Sequence, residues 1–321
     1  MNPDSLALLL LCSQLGLNDE SIKSMTLREW NPLARKLQSA SLRPADLLGF
    51  SQTDLQTRLE LTTEYATRVT QLAERTNDLQ HELNRLTSLN IFPITRADSD
   101  YPEKYHTRLK DSAPAVLFYA GEKALLGQPG IAVVGSRHLD EAGQECAKFI
   151  GNACGLSGQV LYSGGAKGVD TLSMESALEA RGTAVSVLAD SLTRAVKNQK
   201  EALKSGDLCL VTPYSPNAGF SVGAAMGRNR LIYTLADYAI VVASDAETGG
   251  TWAGATETLK NNWVPVFVLE HEQMPVGNKM LLQRGALGFP RPFKEPPTKL
   301  SAWMKEKAKD LPSLPSQPSL F

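Results

Sequence analysis

At 321 residues the chain has room for about two domains. Hydrophobic residues make up 42% and charged residues 21%, ordinary proportions for a soluble globular protein. Lys and Arg number 33 against 34 Asp and Glu, so no global field draws a polyanion, and any anion site has to be a local patch.

Residues 1–90 read as wholly helical. Leu6 to Leu15 is a first short helix, and its apolar run from Leu6 to Leu11 is too short to cross a bilayer. No basic segment precedes that run as in a signal peptide, and the expectation is a soluble cytoplasmic protein. Thr26 caps a second helix with Glu29 three residues on, the capping-box spacing. Pro44 starts a third. From Ser51 to Leu89 runs a long polar segment in which Leu55, Leu59, Val69, Leu72, Leu79, Leu83 and Leu86 recur at helical spacing. This module contains no ligand cluster and reads as a structural cap or as a docking or dimerisation module. Residues 91–128 read as a connector with one strand, Ala115 to Tyr119, punctuated by Pro93, Pro102 and Pro114.

From residue 129 to 290 the period changes. Apolar runs at Ile131–Val134, Val160–Tyr162, Ala184–Leu188, Leu208–Val211, Tyr238–Val242 and Val264–Leu269 alternate with helical segments near Glu141–Cys154, Thr171–Ala180, Lys197–Lys204, Ala224–Leu235, Ala253–Asn261 and Asn278–Arg284. Continuous Val/Ile/Leu runs mean strands buried on both faces, and the alternation means right-handed crossovers. The fold class is therefore α/β, a Rossmann-like doubly wound, mostly parallel sheet with a small all-helical N-terminal domain. Such sheets bind ligands at the carboxyl ends of their strands, near the reversal in strand order. The four cysteines (Cys12, Cys146, Cys154, Cys209) form no CxxC pair and read as buried thiols of a reducing compartment. Residues 291–321 are proline-rich and read as a flexible or surface-bound tail, with one short helix at Lys299 to Lys307.

The strand ending at Tyr162 runs into Ser163-Gly164-Gly165-Ala166-Lys167-Gly168-Val169-Asp170. Glycines here let backbone N–H groups approach a phosphate, the following helix N-terminus supplies donors, and Lys167 adds a charge. Asp170 reads as the orienting or capping group of that loop. The preceding strand ends in Gly135-Ser136-Arg137-His138, where Arg137 can grip a phosphate through its planar fork. Gly227-Arg228-Asn229-Arg230 opens or enters a helix and offers two further cations. Gly249-Gly250-Thr251 is a third glycine turn on the same edge, with Thr251 a candidate cap for the next helix. Gly277-Asn278-Lys279 looks like a turn entering a helix. No GxxxxGK[ST], no GxGxxG with its acidic partner and no metal-spaced His/Cys/Asp cluster is present, so neither a cofactor nor a metal is expected.

Taken together, these residues resemble the DNA-processing protein A (DprA/Smf) family. The matching features are Tyr101-Pro102 with the apolar strand after it, Gly135-Ser136-Arg137, Ser163 to Asp170, Arg228-Asn229-Arg230-Leu231-Ile232, and Gly277-Asn278 with Gly285-Ala286. They fall in the family's order from Ile91 to Phe289, and the helical front matches its small N-terminal (SAM-like) domain. The resemblance implies an extended Rossmann-like domain that binds single-stranded DNA in a basic pocket. Arg137, Lys167, Arg228 and Arg230 would hold the phosphates, with Gly135, Ser136, Ser163, Gly164, Gly165, Gly168, Asp170 and Asn229 around them. It also implies a homodimer that loads RecA onto single strands, without enzymatic turnover. Ser173-Met174 stands where the family has Ala-His, and no winged-helix module follows Phe289, so a divergent branch is expected. A phage-defence or antitoxin role with an operon-encoded toxin partner fits such a branch. Two rival readings are a nucleoside-monophosphate phosphoribohydrolase, for which Gly249-Gly250-Thr251 with Glu257 is a near miss of GGxGTxxE, and a protein-interaction module with a vestigial pocket.

Overall fold

The leucine run near the amino terminus forms the helix Pro3–Cys12 because its start is satisfied: Asn2 Oδ1 accepts the Ser5 N–H at 2.9 Å, and Pro3 needs no partner. In the computed structural model, which describes residues 1–19 and 21–311, the chain divides into two compact units. Among the described residues, the first is made chiefly of Met1–Tyr119 and the second of Ala120–Thr212 with residues 216–311.

In the first unit, helices Leu27–Ser39, Gln52–Leu59, Thr63–Glu74 and Thr76–Ser88 follow, with a 3-10 turn at Pro44–Leu48. The expected capping box forms, Thr26 N–H donating to Glu29 Oε2 at 2.7 Å. The polar segment is broken at Glu60, in the left-handed region at φ 51°, and restarts at Thr62, whose hydroxyl accepts the Tyr65 N–H. Leu55, Leu72, Leu79 and Leu86 are wholly buried. Buried Arg75 donates to the carbonyls of Leu10, Ser13 and Leu15, closing the carboxyl end of the first helix.

The stretch read as a connector holds two strands, not one. β1 (Phe92–Thr95) pairs antiparallel with β2 (Val116–Gly121), Phe92 opposite Tyr119 and Thr95 opposite Val116. Pro93 hides β1 from a propensity reading, since proline belongs on edges and removes a ladder donor. The stretch is tied to the helices of its own unit: Arg96 donates to Asn31 Oδ1 at 3.2 Å and Asn31 to Asp111 O at 2.8 Å.

The second unit holds β3 (Gly130–Val134), β4 (Val160–Ser163), β5 (Ala184–Val187), β6 (Leu208–Thr212), β7 (Tyr238–Val241), β8 (Val266–Glu270) and β9 (Leu287–Pro290). Within this unit the order is β6-β5-β4-β3-β7-β8-β9, and β4-β3-β7, β5-β6 and β7-β8-β9 all pair parallel, as do β4 and β5. β9 was not among the expected strands, because Leu-Gly-Phe-Pro has no β-branched residue to mark it. The chain advances from β3 to β6, returns to the other side of β3 as β7, and advances again to β9. Helices Glu141–Leu156 and Val169–Glu179 pack together, as do Val222–Leu235 and Gly249–Asn261. Right-handed crossovers running in opposite directions place these two pairs on opposite faces, the Rossmann-like α/β architecture expected from the sequence.

Of the helices that start earlier than expected, two change the reading of their caps. One begins at Val222 behind the Ser221 cap, the other at Gly249 with Thr248 in the cap position, so Thr251 lies inside the first turn rather than capping it. The single helix expected at Lys197–Lys204 is two, Leu192–Asn198 and Lys200–Lys204. Gly277-Asn278-Lys279 lies inside the helix Val276–Gln283. Cys146, Cys154 and Cys209 are buried, and burial pushes the Cys146 and Cys154 thiols up to about 12. No described helix is long and apolar enough to cross a membrane.

Within the proline-rich stretch, residues 293–304 pack on β8 and β9. Phe293 stacks on Phe289 at 5.3 Å, and Trp303 of the helix Leu300–Lys307 meets Phe267, Phe289 and Phe293 at 5.6, 5.7 and 5.2 Å. Pro312, Pro315 and Pro318 lie outside the described residues.

Candidate functional site

The reversal in strand order falls between β3 and β7, so the loops leaving their carboxyl ends lie side by side. β3 exits through Gly135, where a Cβ would press into the Val169 side chain. Ser136 N–H donates to Ala243 O at 2.9 Å, stitching this loop to the one after β7, and His138 N–H donates to Ser136 Oγ at 3.1 Å.

The loop after β4 is organised by Asp170, which accepts from Gly164 N–H at 3.1 Å and from Ala166 N–H at 3.3 Å. Ser163 donates to Val133 O at 2.7 Å, and Val169 N–H, at the start of the next helix, faces Ser136 O at 3.4 Å. Of the loop amides expected to approach a phosphate, those of Gly164 and Ala166 bond Asp170 within their own loop, and that of Val169 joins this loop to the one after β3. The glycines serve the same end. Gly165 and Gly168 take φ of 66° and 91°, conformations open to glycine, and a Cβ on Gly168 would meet the Ser136 and Arg137 backbone. At Gly164 a Cβ would fall inside the Arg228 guanidinium, so this glycine makes room for an arginine rather than for a ligand.

A cavity of about 700 Å³ opens beside these loops. Of the residues singled out in the sequence, Gly135, Ser136, Arg137, Asp170, Arg228 and Asn229 line it. Ser163, Gly164, Gly165, Lys167, Gly168 and Arg230 do not: Ser163 and Gly164 are buried beneath, and Lys167 is exposed beyond the lining. Arg228 and Arg230 part company because they sit two residues apart in the third turn of a helix, not at its mouth, and residues two apart face different ways. The cavity face of that helix is Val222, Ala225, Met226, Asn229, Ile232 and Tyr233 at helical spacing, with Arg228 at its edge, three residues after Ala225 and four before Ile232.

The electrostatics are mixed. Asp170 is buried, and burial raises its carboxyl above the usual range against the opposing pull of Arg228, the Ala166 and Gly164 amides and Ser163. Arg228 is itself only 6% exposed, and its charge faces that carboxyl. Arg137 is exposed at the rim, its Cζ 5.8 Å from the centroid of the Phe220 ring. The far wall, Asp245 to Thr251, brings Asp245 and Glu247, which the sequence did not single out. Asn229 lies against Gly250, where a Cβ would strike its amide. Val222 and Met226 were likewise unexpected there, whereas the sequence offers Phe220, with Tyr214 and Trp252, as an aromatic for base stacking or for plain packing. Starting the helix at Ser221 would have revealed the stripe, since Val222 and Met226 are four apart.

Other residues take structural places. Asn278 is wholly buried, donating to Val242 O and Leu269 O at 3.0 Å each and accepting from Ser244 N–H at 2.9 Å. It ties the ends of β7 and β8 to the helix Val276–Gln283. His106 packs on Tyr101 at 4.8 Å, and burial lowers its pKa. Glu257 is exposed and outside the cavity.

A family model described as DNA recombination-mediator protein A matches residues 92–291. The chain is 30% identical over 141 residues to the DNA processing protein DprA of Streptococcus pneumoniae, covering 43% of this chain and 49% of that protein. It is 28% identical over 163 residues to the protein Smf of Synechocystis, covering 49% and 40%. The chain thus spans about half the length of the curated relatives it matches. Among solved structures, the S. pneumoniae DprA crystal structure superposes with a TM-score of 0.59 at 22% identity, over 83% of this chain and 95% of that one. A structure of Helicobacter pylori DNA processing protein A, described for its single-stranded DNA binding mode, superposes at 0.54 and 23% identity, over 68% and 96%. These two likenesses show a shared fold.

Proposed function

The chain belongs to the DNA recombination-mediator protein A family, and from that premise we propose that it binds single-stranded DNA without turnover, as one step of DNA processing. The observation that carries the reading is the meeting of Arg137 and Arg228 in one cavity at the strand-order reversal, where doubly wound sheets take their ligands. Arg137 grips a phosphate at the rim. Arg228, set against Asp170, supplies a fixed charge at the floor. Lys167, exposed next to the cavity, belongs to the approach rather than to the grip. Strand binding is common to recombinase loading and to a defence or antitoxin role, so the reading is of that shared step.

Two phosphates neutralised on a single strand give a slope of about −1.4 in log K against log salt. Titration of labelled oligo-dT at several salt concentrations measures it. Arg137→Ala is expected to weaken binding alike for all base sequences and to flatten the slope by about 0.7. Absence of oligonucleotide binding by the wild-type protein overturns the reading. The phosphoribohydrolase alternative placed its glutamate at Glu257, which is exposed outside the cavity. Release of free base from AMP would favour that alternative over strand binding.

A further inference from the structure

We propose that Asp245 and Glu247 make the cavity selective for one strand of nucleic acid by repelling a second phosphate backbone. The proposal rests on the strand-binding reading and gives a task to the wall that reading leaves unused. In the sheet order β4-β3-β7, Lys167 follows β4 and Arg137 follows β3, whereas Asp245 and Glu247 follow β7. Charge at the carboxyl edge therefore changes sign at the reversal in strand order. Both carboxylates are exposed and line the cavity. Among the described residues no ion pair or hydrogen bond engages either one, so Arg137 does not cancel them.

The wall is held where it stands. Ser244 N–H donates to buried Asn278, and a Cβ on Gly277 would strike the Ser244 and Asp245 carbonyls. Glu247 takes φ of 58°, a conformation that glycine adopts at less cost, so the position keeps a carboxylate against its backbone preference. A volume of about 700 Å³ has a linear dimension of about 9 Å, between the roughly 6 and 12 Å widths of the duplex grooves. A duplex resting one backbone on Arg137 would thus bring its other backbone against the far wall, where like charges repel. A single strand has one backbone, and it leaves along Arg137 and Lys167. Such a repulsive element adds discrimination rather than affinity.

The test titrates a labelled strand of mixed sequence, alone and annealed to its complement, against the whole chain as wild type, as Asp245→Asn/Glu247→Gln and as Glu201→Gln/Glu257→Gln. The last pair removes the same charge from exposed positions outside the cavity lining. The wild type is expected to favour the single strand. The cavity pair should narrow that preference by at least about 5-fold, chiefly by tightening duplex binding, and the narrowing should shrink as added salt shortens the Debye length. The distal pair should tighten both probes alike. Glu247→Lys should narrow the preference further than Glu247→Gln, and it supplies a second measurement if the double variant fails to fold. A preference left as in the wild type by the cavity pair overturns the proposal, because shape would then be the selector. Equal tightening of both probes, as in the distal pair, overturns it too, because only net charge would then be acting. The strand-binding reading survives either result. Equal wild-type affinity for the two probes also overturns the proposal and leaves the phosphate grip in place. If the wild type binds neither probe, the proposal and the strand-binding reading fall together.

Discussion

Gly164 and Arg228 depend on one another more closely than their separation in the chain suggests. The guanidinium occupies the space where any other residue at position 164 would carry its Cβ. Gly164→Ala is therefore expected to destabilise the protein by about 1–3 kcal/mol, as overpacking does, and to displace Arg228 from the cavity floor. Urea denaturation reads the first effect, and a parallel loss of oligo-dT binding reads the second. Gly127→Ala is the control: a Cβ there meets nothing within 4 Å, and its expected effect is within about 0.5 kcal/mol. Asp170 is the third member of the group. It spends its oxygens on the amides of its own loop and sets its charge against Arg228. A buried carboxylate with those partners is a device for holding two loops and an arginine in register.

The helix Val222–Leu235 decides which side chains reach the cavity, because its phase is set at the Ser221 cap. From that start Val222, Ala225, Arg228, Asn229 and Ile232 fall at helical spacing along the cavity side, and Arg230 lies beyond its other margin. The helix Val276–Gln283 works at the other side through Asn278, which satisfies three buried backbone groups near the ends of β7 and β8. Asn278→Ala leaves those groups unpaired. The expected loss is about 3 kcal/mol or more, at roughly 1–3 kcal/mol for each abandoned group. Chemical denaturation measures it, and the loop from Ser244 to Thr251 should lose hydrogen-exchange protection in step, since Ser244 N–H is one of the three.

For the molecule as a whole, a formal net charge of −1 gives no long-range pull on a polyanion, so any anion site has to be a local patch. The second unit is closed at its β9 side by residues from its own carboxyl-terminal stretch: Phe293 and Trp303 pack on Phe289, and Leu300 and Met304 are buried. Trp303 is half-buried, so Trp303→Ala should remove about 2 kcal/mol, below the range for a fully buried aromatic. A lowered thermal midpoint checks this. Because the aromatic cluster and the cavity share no lining residue, oligo-dT affinity measured below that midpoint should be unchanged.

Hydrophobic period alone was enough to place the parallel sheet, its crossovers and the loops at its carboxyl edge, because strands buried on both faces must be runs of Val, Ile and Leu wherever they occur. The loop motifs in turn marked Arg137, Lys167, Asp170, Arg228, Asn229 and Arg230 as one group, of which Lys167 and Arg230 do not line the cavity. The strands β1 and β9 escaped the period, being four residues long and interrupted by proline or glycine. Nor could it separate Arg228 from Arg230, draw Asp245, Glu247 and Phe220 to the same wall, or show that the amides of Gly164, Ala166 and Val169 were already engaged. Those outcomes follow from helix phase and from hydrogen bonds between loops far apart in the chain, such as Ser136 to Ala243. They arise only when β3 and β7 become neighbours, and no local pattern of residues carries that information.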